Sequence, residues 1–176
     1  IYNFPLVAQT LSVGLMQKLA EELPTLAGSK ESHNDFDVWL TLNRTTNLAI
    51  MSANERVWWT ACAKLGGRGM FSVLTSAVPG LLTQLQAACT AGDWTTAESL
   101  DAEFRALVDL AATRPYLKSL NRIAQAKALV NACGWLNVGT CRPPLISVPR
   151  EAIARLRAEL LPRFEKWLAP SSVTGG

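Results

Sequence analysis

The stretch Leu26-Ala27-Gly28-Ser29-Lys30-Glu31-Ser32 decides the reading of this chain. A short run of small and apolar residues ends in a lysine. Lysine's ordinary place is a solvated helix face, because burying an unpaired ammonium is costly. Pro24, which stops a helical pattern, precedes the run. Asn34 and Asp35, both good helix caps, follow it. The run therefore reads as a strand that carries an amine at its carboxyl end. A lysine delivered in that way is the nucleophile of Schiff-base chemistry. A structural lysine snorkelling to the rim of the sheet is the competing reading.

The same alternation extends to both sides. A first strand ends at Tyr2-Asn3, and a helical pattern runs from about Thr10 to Glu22, with Leu11, Leu15, Leu19 and Leu23 at four-residue spacing. After the Lys30 strand, a helix capped by Asn34 or Asp35 extends to about Asn43. A third run, Asn47 to Ser52, leads to a helix over about Asn54 to Leu65, closed by Gly66-Gly67. A fourth run covers Gly69 to Leu74. Strand ends recur every roughly 20–28 residues, the repeat of βα units. Four such units are half of a (β/α)8 barrel, a TIM barrel. Beyond them the chain reads as all helix: from Pro79 to about Ala91, Trp94 to Ala112, Tyr116 to Cys133, and Arg150 to Leu168. Leu100, Phe104, Leu107 and Leu110 share one face of the second of these helices. Cys141-Arg142-Pro143-Pro144 is an extended connector.

Of the 176 residues, 49% are hydrophobic and 18% charged, the balance of a soluble globular protein with a sizeable core. The net charge of +3 is scattered, which gives no case for nucleic acid or an anionic membrane. No apolar run approaches the roughly 20 residues of a membrane span. Cys62, Cys89 and Cys133 fall in apolar helical patterns and read as buried free thiols, which implies a reducing, cytoplasmic setting. With Cys141 and the single His33 they form no zinc-type ligand set. The chain opens inside a structural element, so it is expected to be a fragment or a processed piece.

In parallel βα proteins, catalytic groups collect at the carboxyl ends of strands. Four positions qualify: Tyr2-Asn3, Lys30-Glu31-Ser32, Ser52 to Glu55, and Ser72. Tyr2 is the natural partner of Lys30, since a phenol at a neighbouring strand end can pass protons between carbinolamine, hydroxyl and water. Glu31 and Glu55 are strand-end carboxylates that could meet a substrate. Gly66-Gly67-Arg68-Gly69 precedes a strand, the wrong context for a phosphate loop. Trp58 and Trp59 read as core or subunit-contact residues, and His33 as an exposed loop histidine just before a helix, with substrate binding as the alternative.

Placed in this order, the motifs resemble the C-terminal part of the dihydrodipicolinate synthase/N-acetylneuraminate lyase family. Tyr2-Asn3-Phe4-Pro5 is similar to the family's YNxP at the end of strand five. Gly28-Ser29-Lys30-Glu31-Ser32 is similar to its G-x-K-[DE]-[ST] of strand six. Ser52-Ala53-Asn54-Glu55 is similar to the S-G-x-[DE] of strand seven, with Ala53 in place of the usual glycine. Gly66-Gly67-Arg68-Gly69-Met70-Phe71-Ser72-Val73 is similar to the GGxGxIS of strand eight. Gly92-Asp93-Trp94, Lys127-Ala128-Leu129 and Arg142-Pro143-Pro144-Leu145 resemble later signatures.

The resemblance implies a partial barrel over residues 1–91 and a helical extension over 92–169; the tail over 170–176 is expected to be disordered as a chain terminus. It implies a class I aldolase or related lyase that needs no cofactor and no metal. Lys30 would form the Schiff base with pyruvate or a 2-keto acid, and Tyr2 would shuttle protons. The backbone around Phe71 and Ser72 would line the site, and Ala53, Asn54 and Glu55 would face the variable end of the substrate. It also implies a homotetramer or dimer, and an N-terminal half of the barrel on the same polypeptide or a separate chain.

Two departures bear on the substrate. Val7, after Leu6, stands where the lysine-pathway enzymes carry a carboxylate-clamping arginine. Val73 stands where the sialic acid lyases carry serine. An aldolase or dehydratase acting on a 2-keto-3-deoxy sugar acid fits the remainder. The rival is a non-catalytic binding or structural half-barrel.

Overall fold

The computed structural model describes residues 1–33, 35–53, 55 and 59–168. Asn34, Asn54, Trp58 and the tail over 170–176, all named above, lie outside the described residues. The element order is β1 (Tyr2–Asn3), α1 (Val13–Glu22), β2 (Gly28–Glu31), α2 (Phe36–Thr45), β3 (Ala49–Ser52), α3 (Trp59–Lys64), α4 (Pro79–Ala91), α5 (Trp94–Thr113), α6 (Pro115–Lys118), α7 (Arg122–Cys133) and α8 (Arg150–Leu168). Two compact units result. One holds Ile1–Ser72 with Ala88–Glu98, the other Val73–Ala87 with the described residues from Ser99 onward.

The first unit is an α/β layer. Its sheet is parallel with order β1-β2-β3, so each strand is joined to the next by a helix, as βα units require. Tyr2, Lys30 and Met51 stand in one register row, and Asn3, Glu31 and Ser52 in the next. The expected fourth strand is reduced to a single parallel bridge between Ser52 and Met70. Gly28 lets β2 approach β3: a Cβ there would stand 2.5 Å from the Ala49 carbonyl oxygen.

Local chemistry explains the helix ends. The Ser12 hydroxyl accepts from the Leu15 amide and starts α1, while the Asp35 carboxylate accepts from Asp37 and Val38 and starts α2. Met16, Trp39, Leu42, Leu48, Ile50 and Cys62 form the core between helices and sheet. The Trp39 indole donates to the Ile50 carbonyl at 3.3 Å, which satisfies its one polar group in that core.

The leucine ladder of α1 does not face inward as a whole. Leu15 and Leu23 are exposed and Met16 is fully buried. Four-residue steps overshoot the helical turn by about 40° each, so the ladder drifts off the buried stripe. Val13, Leu19 and Ala20 complete that stripe.

The second unit is helical. Phe104, Leu107 and Leu110 of α5 are buried as their shared face predicts, with Leu100. Leu129, Leu156, Leu160 and Phe164 join the same helical unit's core. The single helix expected over Tyr116 to Cys133 is instead α6 and α7. Asn121 caps α7 by accepting from the Ile123 amide at 2.8 Å. The Gln125 amide donates to the carbonyls of Leu117 and Leu120 at 2.9 and 3.2 Å, which stabilises the break. Gly134, at φ 78°, closes α7 in the left-handed conformation. The connector after it is tied back to α7: Asn131 bonds Val138 and Gly139, and Lys127 donates to the Thr140 carbonyl.

Candidate functional site

Strand alternation sorts the residues at the carboxyl ends of β1 and β2 onto two faces. Tyr2 and Lys30 share one face, which is the less buried of the two. Asn3, Ser29 and Glu31 share the other, where all three are almost completely buried.

On the open face the Lys30 ammonium lies 4.1 Å from the centroid of the Tyr2 ring and 4.8 Å from that of Phe71. Tyr2 in turn stacks on Phe4, with centroids 5.2 Å apart. The lysine is half-buried between two aromatic faces, whose quadrupoles favour a cation. The Tyr2 pKa lies below its ordinary 10.0. The Ser32 hydroxyl beside the phenol is the largest influence, partial burial opposes it, and hydrogen bonding and charge from Lys30 add to the lowering. The Ser32 oxygen is buried and completes no hydrogen bond of full geometry among the described residues, so the phenol is its neighbour without being a tight partner.

Phe71 is brought to the site by its amide, which donates to the Ser52 carbonyl at 2.8 Å. The Ala53 amide donates to the Glu31 carbonyl at 3.0 Å, so this residue also sits at the strand ends. The Ser72 hydroxyl donates to Glu55. Tyr2, Lys30 and Phe71 are thus clustered, and Glu55 and Ser72 form their own pair.

Glu31, a strand-end carboxylate, stands on the face opposite Lys30. It is 2% exposed, and its carboxylate is occupied by Asn3, Ser29 and His33. His33 is not an exposed loop histidine. Its side chain is 12% exposed, Nε2 stands 2.8 Å from Glu31, and Nδ1 is buried with no partner among the described residues. The carboxylate recruits the ring, which loop position alone did not reveal. Neither Ser29 as a partner of Glu31 nor Ser32 as a neighbour of the Tyr2 phenol follows from composition or spacing. Period-two alternation was the available signal that Ser29 and Glu31 share a face, while Ser32 had none beyond its place after the lysine.

The fold and site define a βα protein with an amine presented at the carboxyl end of a parallel sheet. Residues 1–161 match the model of the dihydrodipicolinate synthetase family, and the chain belongs to that family. It is 30% identical, over 149 residues, to 4-hydroxy-tetrahydrodipicolinate synthase of Salinibacter ruber, an alignment covering 84% of this chain and 46% of that protein. Dihydrodipicolinate synthase from Aquifex aeolicus superposes with a TM-score of 0.76 at 25% identity, covering 97% of this chain and 56% of the other. A Sulfolobus 2-keto-3-deoxygluconate aldolase, solved in complex with D-KDPG, superposes equally well, with a TM-score of 0.76. It covers 94% of this chain and 53% of the other, and at 16% identity the likeness is one of fold. The chain spans about half the length of the curated relatives it matches, 35% to 55% of them.

Proposed function

We propose that this chain carries the Schiff-base centre of a lyase acting on pyruvate-type or 2-keto-3-deoxy sugar acids. The observation that supports it is the Lys30 amine set against the Tyr2 and Phe71 rings at the strand ends. The Lys30 nitrogen attacks the 2-keto carbon, and the Tyr2 phenol passes a proton to the resulting hydroxyl, which leaves as water. The Tyr2 phenolate then takes the proton of the substrate hydroxyl as the C–C bond breaks, the protonated imine takes up that bond's electrons as an enamine, and an aldehyde departs. Protonation of the enamine and hydrolysis return pyruvate and the free amine. In the dehydratase variant of this reading, the same imine promotes loss of a hydroxyl as water instead.

Ala53, Asn54 and Glu55 read the distal end of the substrate, and Phe71 and Ser72 line the site. A complementary set of strands covers the open face, where Tyr2 and Phe71 are exposed beside Lys30. Those strands belong to an N-terminal half of the barrel, and the complete barrels assemble as a dimer or tetramer. The curated relatives are named for the synthase reaction. Val7 lacks the charge that would clamp a second carboxylate, which favours sugar-acid substrates here.

A screen of 2-keto-3-deoxy acids with the full-length protein tests the substrate class. Pyruvate release identifies the aldolase, and loss of water without pyruvate the dehydratase. Turnover confined to the synthase substrates overturns the sugar-acid reading. Absence of any turnover, with no borohydride-trapped adduct, favours the non-catalytic half-barrel.

A further inference from the structure

The face of the sheet behind Lys30 holds a closed polar cluster. The Asn3 amide donates to Glu31 Oε2 at 2.8 Å, His33 Nε2 meets the same oxygen at 2.8 Å, and the Ser29 hydroxyl donates to Oε1. Asn3 is 1% exposed and also grips the backbone after β1: its Nδ2 donates to the Leu11 carbonyl at 3.2 Å, and its Oδ1 accepts from the Leu11 amide at 3.1 Å. A buried carboxylate is costly unless several donors satisfy it, and here three side chains surround it.

The location of this cluster gives it a consequence. β1 has two residues, and at its ends it is joined to β2 by the Lys30 amide to Ile1 carbonyl and Ser32 amide to Asn3 carbonyl bonds, each 3.0 Å. A strand that short has little ladder to hold its register. Asn3 and Glu31 are register partners, one residue after the register partners Tyr2 and Lys30. The Asn3 carbonyl also anchors Ser32, the hydroxyl beside the Tyr2 phenol.

We propose that Glu31 is a positioning residue: clasped by Asn3, Ser29 and His33 behind the sheet, it sets the distance between the Tyr2 phenol and the Lys30 amine on the opposite face. The proposal rests on the Schiff-base reading of Lys30 and Tyr2. Glu31 touches no substrate and acts through β1. Misplacing a reacting group by about 1 Å costs on the order of 100-fold in rate.

The test measures the rate of borohydride trapping of pyruvate on Lys30 in the full-length protein, together with the titration of the Tyr2 phenol by NMR, with Tyr116 as internal control. Glu31→Ala is expected to slow trapping by about 100-fold and to move the Tyr2 titration upward toward 10.0, away from the influence of Ser32 and Lys30. Glu31→Gln, whose carbonyl still accepts from Asn3, is expected to stay within a few-fold of wild type. In a Tyr2→Phe background, Glu31→Ala is expected to add little, because both act on one group. If Glu31→Ala does not fold, Asn3→Ala cuts the same tie and is expected to shift Tyr2 in the same direction. Wild-type trapping and an unmoved Tyr2 titration in these variants overturn the proposal, as does an equal loss with and without the Tyr2 hydroxyl. Failure of the wild-type protein to trap pyruvate would instead refute the Schiff-base reading, and the Tyr2 titration would still decide the role of Glu31.

Discussion

The Lys30 ammonium sits 4.1 Å from the centre of the ring of Tyr2, its register partner on the adjacent strand. The two side chains are neighbours because parallel pairing puts them in one row, and alternation turns both toward the same face. Tyr2→Phe keeps the ring beneath the amine and removes only the hydroxyl. On the proposed chemistry, turnover of the full-length protein falls by about 10²- to 10⁴-fold, the usual worth of a positioned proton donor. Folding, read by circular dichroism, is unchanged. Near wild-type turnover would remove Tyr2 from the proton path.

Gly28 is expected to tolerate no side chain. Its missing Cβ would stand 2.5 Å from the Ala49 carbonyl oxygen and 3.2 Å from the Ala49 Cβ, so the contact is with backbone that has little freedom to give. Gly28→Ala should lower stability by about 1–3 kcal/mol, the usual cost of overpacking, and slow reaction at Lys30, two residues along the strand. A denaturant midpoint equal to wild type would show that β2 and β3 separate without cost.

The alternation that places Lys30 was readable from residues, because Gly28-Ser29-Lys30-Glu31 is bounded by a helix-stopping proline and a capping aspartate. α4 and α8 begin and end where their patterns place them, at Pro79–Ala91 and Arg150–Leu168. The fourth strand was not predictable at its true length, since Gly69 to Leu74 makes only one bridge, through Met70. The break before α7 depends on Asn121 and Gln125 bonding to backbone, a tertiary choice that apolar spacing does not encode. The burial of His33 depends on a carboxylate two residues away, which becomes visible only once the strand is turned.

The thiols provide a chemical check on the cores of the two units. Burial pushes Cys62 up to about 12 and Cys133 up to about 11, and both are free. Cys141 is half-buried and free. Native protein treated with iodoacetamide at neutral pH should be modified first at Cys141, with Cys62 and Cys133 protected until denaturant is added. Modification of Cys62 at the same rate as Cys141, mapped by peptide mass, would contradict the placement of that core.

Glu103 predicts an acid-sensitive contact in the second unit. Burial raises its pKa, but the Trp167 indole at 2.7 Å and the Lys166 ammonium at 2.9 Å more than offset that, and the group ends below its ordinary 4.5. A lowered carboxylate pKa contributes stability above 4.5 that is lost as pH falls through the folded value. Wild type should therefore exceed Glu103→Gln near neutrality by about 0.2–1 kcal/mol, given the exposure of Lys166. Urea midpoints should converge as the pH drops below 4.5. A constant difference across that range would mean that the charge of Glu103 contributes nothing.

On the proposed function, Lys30 is the amine that captures a 2-keto acid. The most direct measurement is peptide mapping after the full-length protein is incubated with pyruvate and reduced with borohydride. A reduced pyruvyl adduct is expected on the peptide containing Lys30, dependent on both reagents and absent in Lys30→Arg. An adduct on another lysine, or none on Lys30 in folded protein, would contradict that role.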